Sequence, residues 1–157
     1  SYSRAFGSTV PENDGHTRYR SRCRDDVPGR RISCSSDIAR FLRVIWEKDT
    51  MCLYEKFYVV FLSKANNICG FAEVSSGGQA GTVVDVKQLF TRSLMANAAA
   101  IIVSHNHPSG NLQPSQADID LTKRIKSAGL LLDLPCLDHI IMTEFKGYYS
   151  FADQGMM

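Results

Sequence analysis

The feature that most restricts the fold is a continuous apolar run at residues 99–104, Ala-Ala-Ile-Ile-Val-Ser, which ends directly in His105. A half-exposed strand would alternate apolar and polar residues, so this run predicts a strand that is buried on both faces. Such strands belong mainly to α/β proteins, in which helices cover both sides of the sheet. The run therefore predicts the central strand of a layered α/β domain.

Helical and strand patterns alternate on both sides of this run. Apolar spacing predicts three helices: from Ser35 or Ser36, either of which can cap it, to about residue 47, over residues 85–97, and over residues 115–128, ended by Gly129. β-branched and aromatic runs predict strands at residues 57–62, 68–75, 130–134, 139–143 and 148–151. Residues 105–114 are predicted to form a loop. This alternation again favours an α/β domain.

Residues 1–31 differ from the rest of the chain in composition. They hold seven arginines and four acidic residues, a net charge of +3, whereas the whole chain of 157 residues carries +2. With few aliphatic residues, they predict a basic, poorly ordered N-terminal arm before a domain over residues 32–157. If the arm is extended, Arg18, Arg20, Arg22 and Arg24 lie on one side and can contact nucleic-acid phosphates weakly. A solvated tail is the alternative.

Cysteine usage and hydropathy bear on the compartment. The five cysteines are odd in number and form no C-x-x-C pair, which argues against a disulfide framework and a cysteine zinc site. The longest apolar stretches are far shorter than the ~20 residues of a membrane span. A basic start followed by an apolar run, typical of secretion signals, is absent. We therefore expect a cytoplasmic protein without membrane contact.

Two histidines and an aspartate after the apolar run have the spacing of a metal site. His105 and His107 are two residues apart at a strand end, so their side chains project to one face, with Cα atoms about 6.5 Å apart. Asp118, in the first turn of the predicted third helix, can add an oxygen ligand. Two imidazoles and a carboxylate suit Zn²⁺ and leave a position for water, as in catalytic sites.

Each half of this pattern also has a purely structural interpretation. A single histidine at a strand end commonly makes only an ordinary hydrogen bond. Ser115 and Asp118 form an S-x-x-D sequence that by itself predicts a capped helix N-terminus with an acid in the first turn. The capped helix and the metal site are compatible, because a fixed helix start determines where the carboxylate points.

The motifs H-N-H-P-S-G at residues 105–110 and P-S-x-x-D at residues 114–118 resemble the signature of the RadC family, a bacterial branch of the JAB/MPN metallopeptidase-like domains. The resemblance runs from about Ile32 to the C-terminus. It implies a three-layer α-β-α JAB/MPN (cytidine deaminase-like) fold with a mixed sheet. It also implies that His105, His107 and Asp118 bind zinc, and that the Ser115 hydroxyl lies at the metal site and stabilises an oxyanion.

The resemblance further implies a glutamate at the start of the first core strand. Glu55 stands directly before the apolar run of residues 57–62, and Glu73 in the next strand is the competing candidate. The implied activity is zinc-dependent hydrolysis of amide or isopeptide bonds in a peptide or protein, with Glu55 as general base and then general acid. Many JAB peptidases that act on ubiquitin-like chains carry Ser or Thr where Asn106 stands here, so a ubiquitin-type substrate is disfavoured.

Other functions fit the sequence less well or remain open. A zinc nucleobase deaminase requires H-x-E and P-C-x-x-C, but the second cysteine is missing after Pro135-Cys136. A DNA-associated accessory module of a repair system or mobile element, with a structural or vestigial metal site, would use the arginine arm and bind DNA in a salt-dependent manner. Asp138 and His139 are candidates for hydrogen bonds to the ligand histidines, or else a pair at a strand start without a metal role.

Overall fold

The computed structural model describes residues 17–19, 30–46, 50–76 and 84–157. The helices in this part are Ser35–Ile45 (α1), Val86–Met95 (α2) and Gln116–Leu131 (α3). The strands are Thr17–Tyr19 (β1), Lys56–Leu62 (β2), Ile68–Ser76 (β3), Ala100–Asn106 (β4), Cys136–Met142 (β5) and Tyr148–Ser150 (β6). They form one sheet in the order β1-β3-β2-β4-β5-β6, in which β4 and β5 are parallel and the other neighbours antiparallel. The predicted mixed sheet is confirmed.

Helices pack against both faces of this sheet. Alternate side chains of β2 enter different cores, because successive residues of a strand point to opposite faces. Phe57 and Phe61 pack on the face that α2 and α3 cover, together with Leu89 and Ile125. Tyr58, Val60 and Leu62 pack on the α1 face. Strands β2 and β4 are buried along their whole length. The predicted three-layer fold and its buried central strand are therefore confirmed.

The third helix is longer than the sequence predicts. Gly129 does not end it, because α3 continues to Leu131 and Leu132 is its C-cap. A Cβ atom at Gly129 would lie 2.5 Å from the backbone oxygen of Leu134. This glycine is thus required where the chain leaving the helix returns close to it. The predicted strand at 130–134 is consequently wrong, and the next strand begins at Cys136.

Two other boundaries differ from prediction. Cys34 is the N-cap of α1 and makes no side-chain cap hydrogen bond, so the prediction of a Ser35 or Ser36 cap is wrong. The Ser35 hydroxyl instead donates to the Asp153 carboxylate. The predicted loop from residue 105 is also too long, because His105 and Asn106 belong to β4. This second difference puts both residues on rigid sheet backbone.

The N-terminal segment is described only in part. The three residues of β1, within the segment predicted to lack regular structure, pair with β3 from Thr17↔Ala72 to Tyr19↔Gly70. Arg20, Arg22 and Arg24 lie outside the described residues. The phosphate-binding arm therefore stays a prediction.

Two further structural facts concern the cysteines and the helices. Cys69, in β3, is disulfide-bonded, whereas Cys34 and Cys136 form no disulfide. The odd number of cysteines therefore did not exclude a single disulfide. Among the described helices, none is both long and apolar enough to cross a membrane.

Candidate metal centre

The candidate metal centre lies where β4 ends and α3 begins. His105 is a residue of β4, and His107 follows the strand at once. The backbone N–H of His107 donates to the Met142 carbonyl at 3.0 Å, which extends the pairing with β5 beyond the strand. The chain then turns, with Gly110 at φ +78° and its N–H bonded to the His107 carbonyl. That turn leads towards α3 and Asp118.

Three side chains converge at this point. The Nε2 atoms of His105 and His107 are 2.9 Å apart. Asp118 Oδ1 lies 3.2 Å from His105 Nε2, and Asp118 Oδ2 lies 3.2 Å from His107 Nε2. One potential ligand atom from each residue falls within 4.8 Å of the other two. The structure thus brings together the three residues that the sequence singled out.

The start of α3 fixes the direction of the Asp118 carboxylate. Ser115 is the N-cap, and its hydroxyl oxygen accepts from Asp118 N–H at 3.1 Å. In return, Ser115 N–H donates to Asp118 Oδ2 at 2.8 Å. This reciprocal pair is a capping box, which satisfies two backbone donors of the helix terminus. The capping and metal-site interpretations of Ser115 and Asp118 are compatible in the structure.

The charges at the site favour an ionised carboxylate. Burial alone would raise the pKa of Asp118, but the hydrogen bonds that His105 and His107 donate when their Nε2 atoms are protonated outweigh it and hold that pKa far below its usual value. Burial also acts to lower the pKa of His107, yet the hydrogen bonds to Asp118 and to the Asn111 carbonyl raise it overall. The negative charge is thus concentrated between the two imidazoles.

A chain of hydrogen bonds leads from His105 into the core. His105 Nδ1 lies 2.8 Å from His139 Nε2, and His139 Nδ1 lies 2.6 Å from Thr122 Oγ1. The Thr122 hydroxyl also lies 2.7 Å from the Asp118 carbonyl oxygen, to which it donates. Because the only hydroxyl hydrogen of Thr122 is donated to Asp118, Thr122 Oγ1 must accept from His139 Nδ1–H. His139 Nε2 is then the acceptor of a proton on His105 Nδ1.

Of the two residues proposed as supports of the ligand histidines, only His139 contacts one. The Asp138 carboxylate accepts from Ser150 Oγ at 2.6 Å and from the N–H groups of His139 and Ala152. It therefore stabilises the backbone around β5 and β6. Thr122 was not predicted from the sequence. Its position four residues after Asp118 could have indicated it, since residues with that spacing share a helix face.

Residues 32–156 match the family model of the RadC-like JAB domain. The chain belongs to this family. The resemblance inferred from H-N-H-P-S-G is thus confirmed. A UPF0758 protein of Flavobacterium johnsoniae is 44% identical over 138 residues, which cover 87% of this chain and 58% of the relative. A UPF0758 protein of Acidithiobacillus ferrooxidans is 46% identical over 101 residues, covering 64% and 45%. The chain spans about half the length of the curated relatives it matches.

The protonation pattern of this RadC-like domain fits a metal ion. His107 Nδ1 lies 2.6 Å from the Asn111 carbonyl and can only donate to it. His105 Nδ1–H donates to His139. In the neutral rings, both Nε2 atoms therefore carry lone pairs, and these face each other and the Asp118 carboxylate. Such lone pairs repel unless a proton or cation lies between them. Imidazole nitrogens with a carboxylate form a donor set that suits zinc.

Glu55 lies beside the metal centre of the RadC-like domain. It is half-buried and directly precedes β2, whose Phe57 pairs with His105. Its charge contributes to the raised pKa of His107. The competing candidate, Glu73, pairs with Tyr58 on the sheet and so shares the α1 face with it. His105 stacks against Phe57 on the other face. The fold therefore separates Glu73 from the metal centre.

Proposed function

We propose that this RadC-like domain is a zinc-dependent hydrolase that cleaves amide or isopeptide bonds of a peptide or protein substrate. The observation that supports it is the convergence of two Nε2 lone pairs and a carboxylate beside Glu55. Zinc, when bound, supplies a Lewis acid that makes water a nucleophile at neutral pH. The remaining steps belong to side chains of this domain.

Glu55 is the proposed proton carrier. Its carboxylate accepts a proton from the attacking water while the oxygen–carbon bond forms. It then gives this proton to the leaving nitrogen as the carbon–nitrogen bond breaks, so that one group acts as base and then as acid. The half-buried position at the start of β2 suits this role, because the group is held by the sheet and still accessible.

Ser115 is the proposed donor to the substrate carbonyl oxygen. Its oxygen already accepts from Asp118 N–H, and a hydroxyl group can donate its hydrogen at the same time. A hydrogen bond to the oxygen that gains negative charge lowers the barrier. Loss of one such donor typically costs about 2.7–4 kcal/mol of transition-state stabilisation.

The test uses the chain purified without a histidine tag or chelator. Elemental analysis measures bound zinc, and mass spectrometry of a peptide library measures cleavage. We expect wild type to bind one zinc ion and to cleave, and Glu55→Gln to retain zinc but lose cleavage. Glu73→Gln, a matched control on the other face of the sheet, should retain both. Equal cleavage by wild type and Glu55→Gln, or no zinc in wild type, would contradict the proposal.

A further inference from the structure

Asn106, between the two histidines, is buried and makes three hydrogen bonds to backbone. Its side-chain Oδ1 accepts from Lys56 N–H at 2.7 Å. Its Nδ2 donates to the carbonyl oxygens of Met51 at 2.6 Å and Tyr54 at 3.0 Å. All three partners belong to residues 51–56, the segment that carries Glu55 into β2. The carboxamide thus joins the end of β4 to both neighbours of Glu55.

Strand geometry puts this contact on the face opposite the metal centre. Successive residues of β4 point to opposite sides, and His105 packs on Phe57 in the core of α2 and α3. Asn106 is therefore directed to the α1 side, where Met51 is part of the core. The end of β4 therefore has the imidazoles on one face and the three hydrogen bonds of Asn106 to backbone on the other.

The three bonds require the chemistry of a carboxamide. They use one carbonyl acceptor and two N–H donors, which asparagine offers in a side chain of this length. An aspartate has no donor for the two carbonyls when ionised, and an alanine has neither function. Two further backbone bonds of this segment are local: Leu53 N–H and Tyr54 N–H both donate to the Thr50 carbonyl. Those bonds form a turn within the segment and do not attach it to β4.

We propose that Asn106 is a positioning residue, whose carboxamide fixes residues 51–56 to β4 and thereby holds the Glu55 carboxylate against the metal centre. The catalytic part of this inference rests on the proposed function, because it assumes that Glu55 moves protons. The structural part concerns the backbone alone. Asn106 acts through Glu55 and is not one of the three candidate metal ligands.

The first experiment tests, without a substrate, whether Asn106 fixes residues 51–56 to β4. Amide hydrogen exchange of the full chain should show the Lys56 N–H exchanging at least about tenfold faster in Asn106→Ala than in wild type, since that amide loses its acceptor in a buried position. Ser104→Ala is the matched control, because it removes a buried hydrogen bond from the same face of β4 to Ile140. It should leave Lys56 unchanged. Unchanged exchange in Asn106→Ala would overturn the proposal.

A second variant covers a failure of Asn106→Ala to fold. Asn106→Asp retains the size of the side chain and an acceptor for Lys56 N–H, but has no donor for Met51 and Tyr54. We expect Lys56 to stay protected, while the amides of residues 51–54 exchange faster than in Ser104→Ala. The proposal would also be overturned if the amides of residues 51–54 exchanged no faster in Asn106→Asp than in Ser104→Ala.

The second experiment separates this inference from the proposed function. Zinc titration against a chromophoric competitor should give the same affinity for Asn106→Ala and wild type, whereas peptide cleavage should fall towards the level of Glu55→Gln. Unequal zinc affinity, or wild-type cleavage by Asn106→Ala, would refute a role through Glu55. If wild type cleaves nothing, the proposed function fails. The exchange experiment still tests whether Asn106 fixes residues 51–56 to β4.

Discussion

His139 Nε2 lies 2.8 Å from His105 Nδ1, so one imidazole of the metal centre is held by a second imidazole that is itself fully buried. His139 packs between two aromatic rings, stacked on Phe151 and edge-on to Phe57. This packing fixes its ring, and its bond to Thr122 fixes its tautomer. An imidazole N–H that is held in this way leaves the other nitrogen free to bind metal, so this contact suits His105 as a candidate ligand.

Replacement of His139 should therefore weaken metal binding although His139 is not one of the three converging groups. His139→Leu removes the acceptor for His105 Nδ1–H, and we expect zinc affinity to fall about 10–100-fold, as is typical for such outer contacts. Competition titration with a zinc chelator measures it. His139→Gln, which retains an acceptor oxygen, is the matched comparison and should lose less. Wild-type affinity in His139→Leu would contradict a role in orienting His105.

The burial of His139 also leads to a prediction about how the stability of the metal-free protein depends on pH. Burial disfavours the charged ring, and the neighbouring His105 adds to this, so the pKa of His139 lies well below 6.5 in the folded state. Below about pH 6.5, the unfolded chain therefore binds a proton that the folded chain does not. The free energy of unfolding should fall with decreasing pH, by at most about 1.4 kcal/mol per pH unit from this group.

Urea denaturation in the presence of a chelator, at about pH 7.5, 6.5 and 5.5, measures this dependence. In His139→Gln the fall below pH 6.5 should be smaller than in wild type. The raised pKa of His107 has the opposite sign, because its contribution is lost as pH rises through that pKa. Identical acid slopes in wild type and His139→Gln would show that His139 takes up its proton in the folded state.

Local sequence spacing accounts for what could be predicted about the metal centre. His105 and His107 alternate at a strand end, and Ser115 and Asp118 share the first turn of a helix. These relationships span a few residues and follow from strand and helix geometry. The buried central strand was predictable for the same reason, since the buried positions 100–103 of β4 form a visible apolar run.

The supporting contacts could not be predicted because they join distant parts of the chain. Thr122 reaches His139 only because α3 packs beside β5, and Asn106 reaches Met51 only through the register of β2 against β4. No short pattern encodes these pairings. The prediction that Gly129 ends the third helix failed for a related reason. A glycine after a helical pattern commonly marks a helix end, but here glycine is required because the backbone of Leu134 lies close to it.

Gly129→Ala tests that interpretation of the glycine. A glycine in a helix usually gains up to about 1 kcal/mol of stability when replaced by alanine. Here the new Cβ would lie 2.5 Å from the Leu134 oxygen, a backbone atom that cannot rotate away. We expect a net loss of about 1–3 kcal/mol in the free energy of unfolding, measured by urea denaturation. Ser127→Ala, exposed in the same helix, should not destabilise. A stabilised Gly129→Ala would contradict the predicted clash.

Asp118→Asn separates the two tasks of this residue. The amide oxygen of asparagine can still accept from Ser115 N–H, so the capped start of α3 should persist. The melting temperature of the metal-free protein should fall, because the two histidines favour the ionised carboxylate that this variant lacks. The negative charge between His105 and His107 is lost, and we expect zinc affinity to fall further than the about 10–100-fold expected for an outer contact. Asp120→Asn is the matched control, since that exposed carboxylate of α3 bonds only locally to Gln116 among the described contacts. It should bind zinc like wild type. Retention of wild-type zinc affinity by Asp118→Asn would exclude Asp118 as a ligand.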